Sequence, residues 1–200
     1  MIVVKLGGSL IHRARELVNE IIEYANMSGE RILIVPGGSI FADTVRKVNT
    51  SQEAAHWMAI LAMEQYGYFL GNGTNARIVD SLSFYDEVSI LLPYNLLKKK
   101  DELPHTWDVT SDTIAAWVAL QLKARFIKAT DVEGIYINGE FQKELKASEL
   151  VGKETCVDAE LPHFLMRHKM NCEIINGNCP GRLTGALRGN VIGTVIKGYI

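Results

Sequence analysis

The chain opens MIVVKLGGSLI, an apolar run carrying one lysine, Lys5, and closed by Gly7, Gly8 and Ser9 just before a helical pattern begins. Those residue types suit a phosphate. Glycines tolerate positive φ and let backbone approach a ligand, a helix start presents unpaired N–H groups with partial positive charge, and Lys5 adds a full one. A plain buried strand with a tight turn is written the same way, so the stretch alone leaves both readings open. A second apolar run, RILIVPGG, ends in Gly37 and Gly38 and again leads into a helical pattern. Further along, Asp112 falls in the first turn of the apolar helix TSDTIAAWVALQLKA, with His105 and Trp107 just ahead of it, and His56 sits on a long helix after the second glycine turn. His56 and Trp107 could contact a ligand; equally, His56 could be a satisfied core histidine and Trp107 could simply pack. Lys98, Lys99 and Lys100 read most simply as a solvated face, with substrate contact as the alternative.

The elements that must place these residues follow from apolar spacing. IVVKL and RILIVP are buried strands, and ARELVNEIIEYANMSG places Leu17, Val18, Ile21, Ile22 and Ala25 on one helix face that ends near Gly29. Strand, glycine pair and helix, repeated after about thirty residues, describe βαβ units and a parallel sheet, with both glycine pairs at the strands' carboxyl ends, where ligands bind. SQEAAHWMAILAMEQYGYFL is a long helix with Ser51 as its N-cap, and its face of Ala54, Ala55, Met58, Leu61, Ala62 and Gln65 packs or dimerises. RIVDS and VSILLP are short strands, YNLLKKKDELPHTWDV is the least regular stretch, and Thr110 or Ser111 caps the helix of Asp112. RFIKAT, CEIINGN and GTVIKGYI are further strands, so the last third extends the same sheet and residues 1–200 form one domain.

Composition excludes several classes of function. At 200 residues with a net charge of -2, the chain has no basic field for nucleic acid. With Lys5 inside its first apolar run and no apolar stretch of membrane-spanning length, the expectation is a cytoplasmic protein with no membrane partner. Cys156, Cys172 and Cys179 are odd in number and lack CxxC spacing, which points to reduced thiols rather than a disulfide framework or zinc site, and no metal-ligand set is expected.

Taken in order, VVKLGGSL, VPGG, VTSDTIAAWVA and KATDVEGIY resemble the amino acid kinase superfamily, and INGNCPGRL and GTVI extend the similarity almost to the C-terminus. The resemblance implies an α/β fold, a three-layer α/β/α sandwich around a mainly parallel sheet, and ATP-dependent phosphorylation of a small molecule. It assigns Lys5, Gly7, Gly8 and Ser9 to the transferring phosphates and Gly37 and Gly38 to the acceptor and γ-phosphate side. Asp112 takes the place of the aspartate that organises catalytic lysines, and Asp131, Gly134 and Tyr136 fall in the loop bordering the nucleotide. Mg²⁺ is expected to be held by nucleotide phosphates and water. One departure stands out: where many members carry Gly-Gly-Met and a second catalytic lysine, this chain reads ETCVDAELPHFL, so the charge would have to come from elsewhere, with Lys128 the candidate.

LPHTWDVTSDTIAAWVA with the shortened CVDAELPHFL resembles a small archaeal branch of the superfamily, the aminomethylfuran phosphate kinases of methanofuran biosynthesis. That implies a phosphate-bearing acceptor converted to a diphosphate, with His56 and Trp107 beside it, and a homo-oligomer built on the Met58, Leu61 and Ala62 helix. Isopentenyl phosphate, UMP or an acyl carboxylate are alternative acceptors. A non-catalytic nucleotide- or oxyanion-binding protein is the other alternative.

Overall fold

The computed structural model describes residues 1–83 and 86–199. Strand β1 (Ile2–Leu6) lies at the centre of an eight-stranded sheet, and its side chains alternate between two cores as strand geometry requires. Ile2, Val4 and Leu6 join the core under α1 (Ala14–Ser28), whereas Val3 joins the core on the opposite face. Lys5 shares the parity of Val3. It therefore points away from α1, the only charged group in a strand whose five residues are all buried.

On one side, β1 pairs in parallel with β2 (Ile32–Pro36), which pairs with β4 (Val88–Leu91) and, beyond it, β3 (Arg77–Val79). On its other side stands β5 (Arg125–Thr130), followed by β9 (Asn171–Asn176), both parallel. The sheet closes with β10 (Gly193–Lys197), antiparallel to β9, and the short edge strand β8 (Glu144–Lys146). β6 (Ile135–Ile137) and β7 (Glu140–Gln142) form a separate hairpin that the sequence pattern does not announce. The expected mainly parallel α/β/α sandwich is thus present. Ile200, the last residue of the GTVIKGYI run, lies outside the described residues.

α1 and α7 (Arg182–Leu187) cover one face of the sheet, and α5 (Ser111–Leu122) and α6 (Glu160–His168) cover the other. α1 ends as expected at Gly29, whose φ of 69° is the left-handed cap that glycine adopts without strain. The long helix α3 (Gln52–Gly71) starts at Ser51, whose hydroxyl accepts from the Ala54 N–H at 3.2 Å. It contributes Ile60 and Met63 to one core and Tyr66 and Leu70 to the other. Its Ala55 and Ala62 pack with Ala42 and Val45 of α2 (Ser39–Lys47). The face expected to act as a unit is therefore divided: Ala62 is spent inside the protein, while Met58 and Leu61 remain exposed.

Two further expectations are corrected. YNLLKKKDELPHTWDV, the least regular stretch in sequence, begins with a helix, α4 (Tyr94–Lys100), whose first N–H is accepted by Glu64 of α3 at 2.8 Å. The first glycine turn leads into a 3₁₀ turn over Gly8–Arg13 before α1 starts. Among the described residues no helix is long and apolar enough to cross a membrane.

Candidate active site

Register and parity bring two lysines together. Lys5 on β1 and Lys128 on β5 are Cα partners in the parallel ladder, so both side chains leave the sheet on the α5 face. Asp112, in the first turn of α5, stands between them. Its Oδ1 lies 3.0 Å from Lys5 Nζ and its Oδ2 2.5 Å from Lys128 Nζ, and Lys128 also donates to the Cys156 carbonyl. All three side chains are buried. Burial opposes the charge on Asp112, but the two ammonium groups outweigh it and hold its carboxyl at about 2. Lys5 is pulled below its ordinary value by burial, with Lys128 repelling and Asp112 attracting. For Lys128 burial also works against the charge, yet Asp112 prevails and its value is raised. Two cations on one carboxylate leave a surplus positive charge and spare N–H donors in a low-dielectric pocket, which is what a polyphosphate requires.

The glycine pairs frame this triad, for one of the two reasons expected. Gly7 has φ −61° and Gly38 φ −81°, so neither uses the left-handed region; the residue that does is Ser39, at φ 51°. What the glycines provide is proximity. A Cβ on Gly8 would lie 2.3 Å from the Ser39 N and Cα, and one on Gly37 2.9 Å from the Gly8 N. The two loops are pressed together and tied by hydrogen bonds from the Gly37 N–H to the Leu6 carbonyl at 2.8 Å and from the Ser39 hydroxyl to the Gly8 carbonyl at 3.1 Å. The buried Tyr66 hydroxyl donates to the Gly7 carbonyl at 3.3 Å. Gly8 and Ser9 N–H groups take no acceptor among the described residues, leaving them for an anion.

The cap of α5 is corrected as well. Thr110 occupies the N-cap position without a side-chain cap bond. Instead the carboxylate of Asp158, from the stretch that departs from the family pattern, accepts from the Thr110 N–H (2.8 Å) and hydroxyl (2.9 Å) and from the Thr113 N–H (3.0 Å) and hydroxyl (2.6 Å). It also accepts from the Leu161 N–H at 2.9 Å, capping α6, while its own N–H donates to Asp112 Oδ2 at 3.3 Å. Burial, and then the charge of Asp112, push the Asp158 carboxyl upward. The sequence signal was half present: an aspartate just before ELPHFL suggests a helix start, but nothing local says that it also caps α5.

These groups open into a cavity of about 520 Å³ lined by Lys5, Gly7, Gly8, Ser9, Gly38, His56, Trp107, Asp112 and Lys128 from the sequence analysis, joined by Ser39, Asp43, Arg46, Thr110, Ser111, Cys156 and apolar groups including Ile60 and Met63. Gly37 lies just behind this lining. His56 stacks on His105 with ring centroids 4.5 Å apart, His105 Nε2 lies 2.7 Å from Asp101 Oδ1, and Trp57 meets both imidazoles edge-on. Burial, reinforced by His105, lowers His56 to about 4, so its imidazole is neutral at neutral pH. Trp107 is exposed at the mouth with the Arg46 guanidinium 5.4 Å from its ring centroid.

Asp131, Gly134 and Tyr136 do not line this cavity. Asp131 is exposed and accepts from the Thr130 hydroxyl at 3.2 Å, Gly134 (φ 149°) packs against Thr194, and Tyr136 is exposed beside Phe141. Lys98, Lys99 and Lys100 are exposed on α4, with Lys98 Nζ 3.8 Å from the Trp57 ring centroid. Among the described residues no three His, Cys, Asp or Glu side chains converge on a metal position, and both Asp112 oxygens already face lysines.

Two buried cations on one carboxylate, framed by paired glycine turns at the carboxyl end of a parallel sheet, have the charge and geometry that suit a phosphorylated ligand. The chain belongs to the amino acid kinase family, whose profile matches residues 1–176. It is a small-molecule kinase. It is 34% identical over 203 residues, 94% of each chain, to the [5-(aminomethyl)furan-3-yl]methyl phosphate kinase of Methanocaldococcus jannaschii. It is 26% identical to the uridylate kinase of Thermofilum pendens, covering 98% of this chain and 97% of the relative. Among solved structures, uridylate kinase from Archaeoglobus fulgidus superposes with a TM-score of 0.73 at 21% identity, over 98% of this chain and 100% of the other. UMP kinase from Ureaplasma parvum gives 0.71 at 18% over 98% of each. Both confirm the fold.

Proposed function

We propose that the enzyme transfers the γ-phosphoryl group of MgATP to [5-(aminomethyl)furan-3-yl]methyl phosphate, giving the diphosphate needed for methanofuran biosynthesis in the cytoplasm. The observation that carries the acceptor is the 34% identity across 94% of both chains to a kinase of that name. In this reading Gly7, Gly8 and Ser9 hold the transferring phosphates through backbone N–H groups, and Gly37 and Gly38 shape the acceptor side. Asp131, Gly134 and Tyr136, outside the cavity beyond its Thr130 edge, border the part of the nucleotide that extends out of it. His56 and Trp107 bound the acceptor, with Ile60 and Met63 as an apolar wall.

The acceptor phosphate is already deprotonated at neutral pH, so no general base is required. One of its oxygens attacks the γ-phosphorus in line, the bond to the β-phosphate oxygen breaks, and ADP leaves. Lys5 and Lys128 stabilise the oxygens on which charge accumulates, and Asp112 holds both ammonium groups at fixed positions without taking a proton. Lys128 thereby supplies the charge that the ETCVDAELPHFL stretch lacks, which favours an enzyme over a passive binder. Mg²⁺ enters with the nucleotide as part of the substrate, ligated by phosphate oxygens and water. The exposed Met58, Leu61, Tyr68 and Phe69 on α3 form an apolar stripe that a second copy of the chain covers.

ADP release with MgATP against the furan phosphate, UMP, isopentenyl phosphate and acetylglutamate tests the reading. Turnover of the furan phosphate alone is expected. Turnover of UMP instead, the reading that the Thermofilum relative favours, would replace the acceptor. ATP binding without ADP release in any arm would return the chain to the binding class.

A further inference from the structure

The proposed acceptor ends in a primary ammonium, and the cavity is otherwise built for anions. Of the carboxylates that line it among the described residues, Asp112 is committed to Lys5 and Lys128, which leaves Asp43. Asp43 stands on α2 four residues past Ser39, about 6 Å along the helix from the second glycine turn. That spacing suits a five-membered ring carrying two one-carbon arms, with its phosphate at the glycine turn. Across the mouth, Trp107 presents an indole ring. A carboxylate and an aromatic face together are what an ammonium group prefers.

A cation already sits there. Arg46 Nη1 lies 2.9 Å from Asp43 Oδ1, and its guanidinium carbon stands 5.4 Å from the Trp107 ring centroid. Resting on the acceptor reading above, we infer that Asp43 and Trp107 form the subsite for the acceptor's ammonium group, and that Arg46 fills this subsite until the acceptor displaces it. The arrangement selects against neutral tails. An alcohol or an alkene in the same position cannot replace the guanidinium beside Asp43, whereas an ammonium exchanges one ion pair and one cation–π contact for another. No local pattern announces it, because an Asp and an Arg three residues apart on a short helix read as an ordinary surface pair.

The test is the ratio of kcat/KM for the aminomethyl furan phosphate to that for its hydroxymethyl counterpart, measured in the parent, Asp43→Asn, Trp107→Leu and Arg46→Gln enzymes. Asp43, Arg46 and Trp107 are exposed, so all variants are expected to keep the parent's melting temperature. The parent should favour the amine at least about tenfold, and Asp43→Asn and Trp107→Leu should each reduce that ratio by about fivefold or more. Arg46→Gln, which vacates the subsite, should lower the KM of the amine. A parental preference that survives both Asp43→Asn and Trp107→Leu overturns the assignment while leaving the acceptor reading intact. An Arg46→Gln enzyme with raised KM for both compounds makes Arg46 a phosphate ligand and overturns it too. Failure of the parent to turn over either furan phosphate removes the acceptor reading, and this inference with it.

Discussion

One carboxylate, Asp112, fixes both Lys5 and Lys128, and in the proposed reaction the cost of removing either lysine follows from that. Lys5→Ala and Lys128→Met should each lower kcat by about 10²-fold or more, the loss typical of one preorganised donor to developing charge. Steady-state turnover within threefold of the parent in either variant would exclude that lysine from catalysis. Asp112→Asn should be equally impaired and stay so at high pH, since the carboxylate positions ammonium groups and abstracts no proton. His56 makes a different prediction at this scale. Burial and His105 lower its value from an ordinary 6.5 to about 4, so the unfolded chain takes up this proton before the folded one does. The stability associated with neutral His56 is complete above pH 6.5 and is lost as pH falls toward 4. In urea titrations, His56→Asn should flatten the pH dependence of stability across that window; an unchanged slope would mean that His56 titrates normally.

Among elements, the loop before α6 carries more of the site than its sequence suggests. Asp158 joins the starts of α5 and α6 and touches Asp112 through its own N–H, a placement from which it can position the lysine pair. Asp158→Ala should cost about 2 kcal/mol of stability by leaving buried donors unsatisfied. Because Asp112 loses its support, kcat should also fall at temperatures where the variant is fully folded, with acceptor KM little altered. Lost stability with parental kcat would make Asp158 a structural cap alone. The glycine turns show the same division of labour: the chain bends at Ser39, and Gly8 lets that bend press against the first loop.

For the whole molecule, the exposed stripe on α3 is the surface on which the proposed self-association rests. Met58, Leu61, Tyr68 and Phe69 recur at helical spacing on the surface, while the alternate positions Ala55, Ala62 and Tyr66 are buried within the chain. Sedimentation equilibrium should find the parent as a homo-oligomer and a Leu61→Glu/Tyr68→Glu variant as a monomer with its circular dichroism spectrum unchanged. A monomeric parent would assign the stripe no role in self-association.

The local content of this fold was legible in the residues themselves. Short apolar runs marked β1, β2 and β5, glycine pairs marked the two strand-to-helix turns, and the position of Asp112 in the first turn of α5 followed from the TSDTIAAWVA pattern. These are short-range consequences of strand period, helix period and turn chemistry, so a linear reading finds them. What the tertiary structure decided depended on register and on contacts between distant segments. Lys128 faces Lys5 because β5 pairs with β1 in one particular register; a shift of one residue would have turned it to the α1 face. Asp158 caps a helix that begins 47 positions earlier than itself, Ala62 is consumed by α2, and Arg46 meets Trp107 across the cavity mouth. Neither period nor propensity encodes such pairings, since they exist only once the strands have chosen their neighbours.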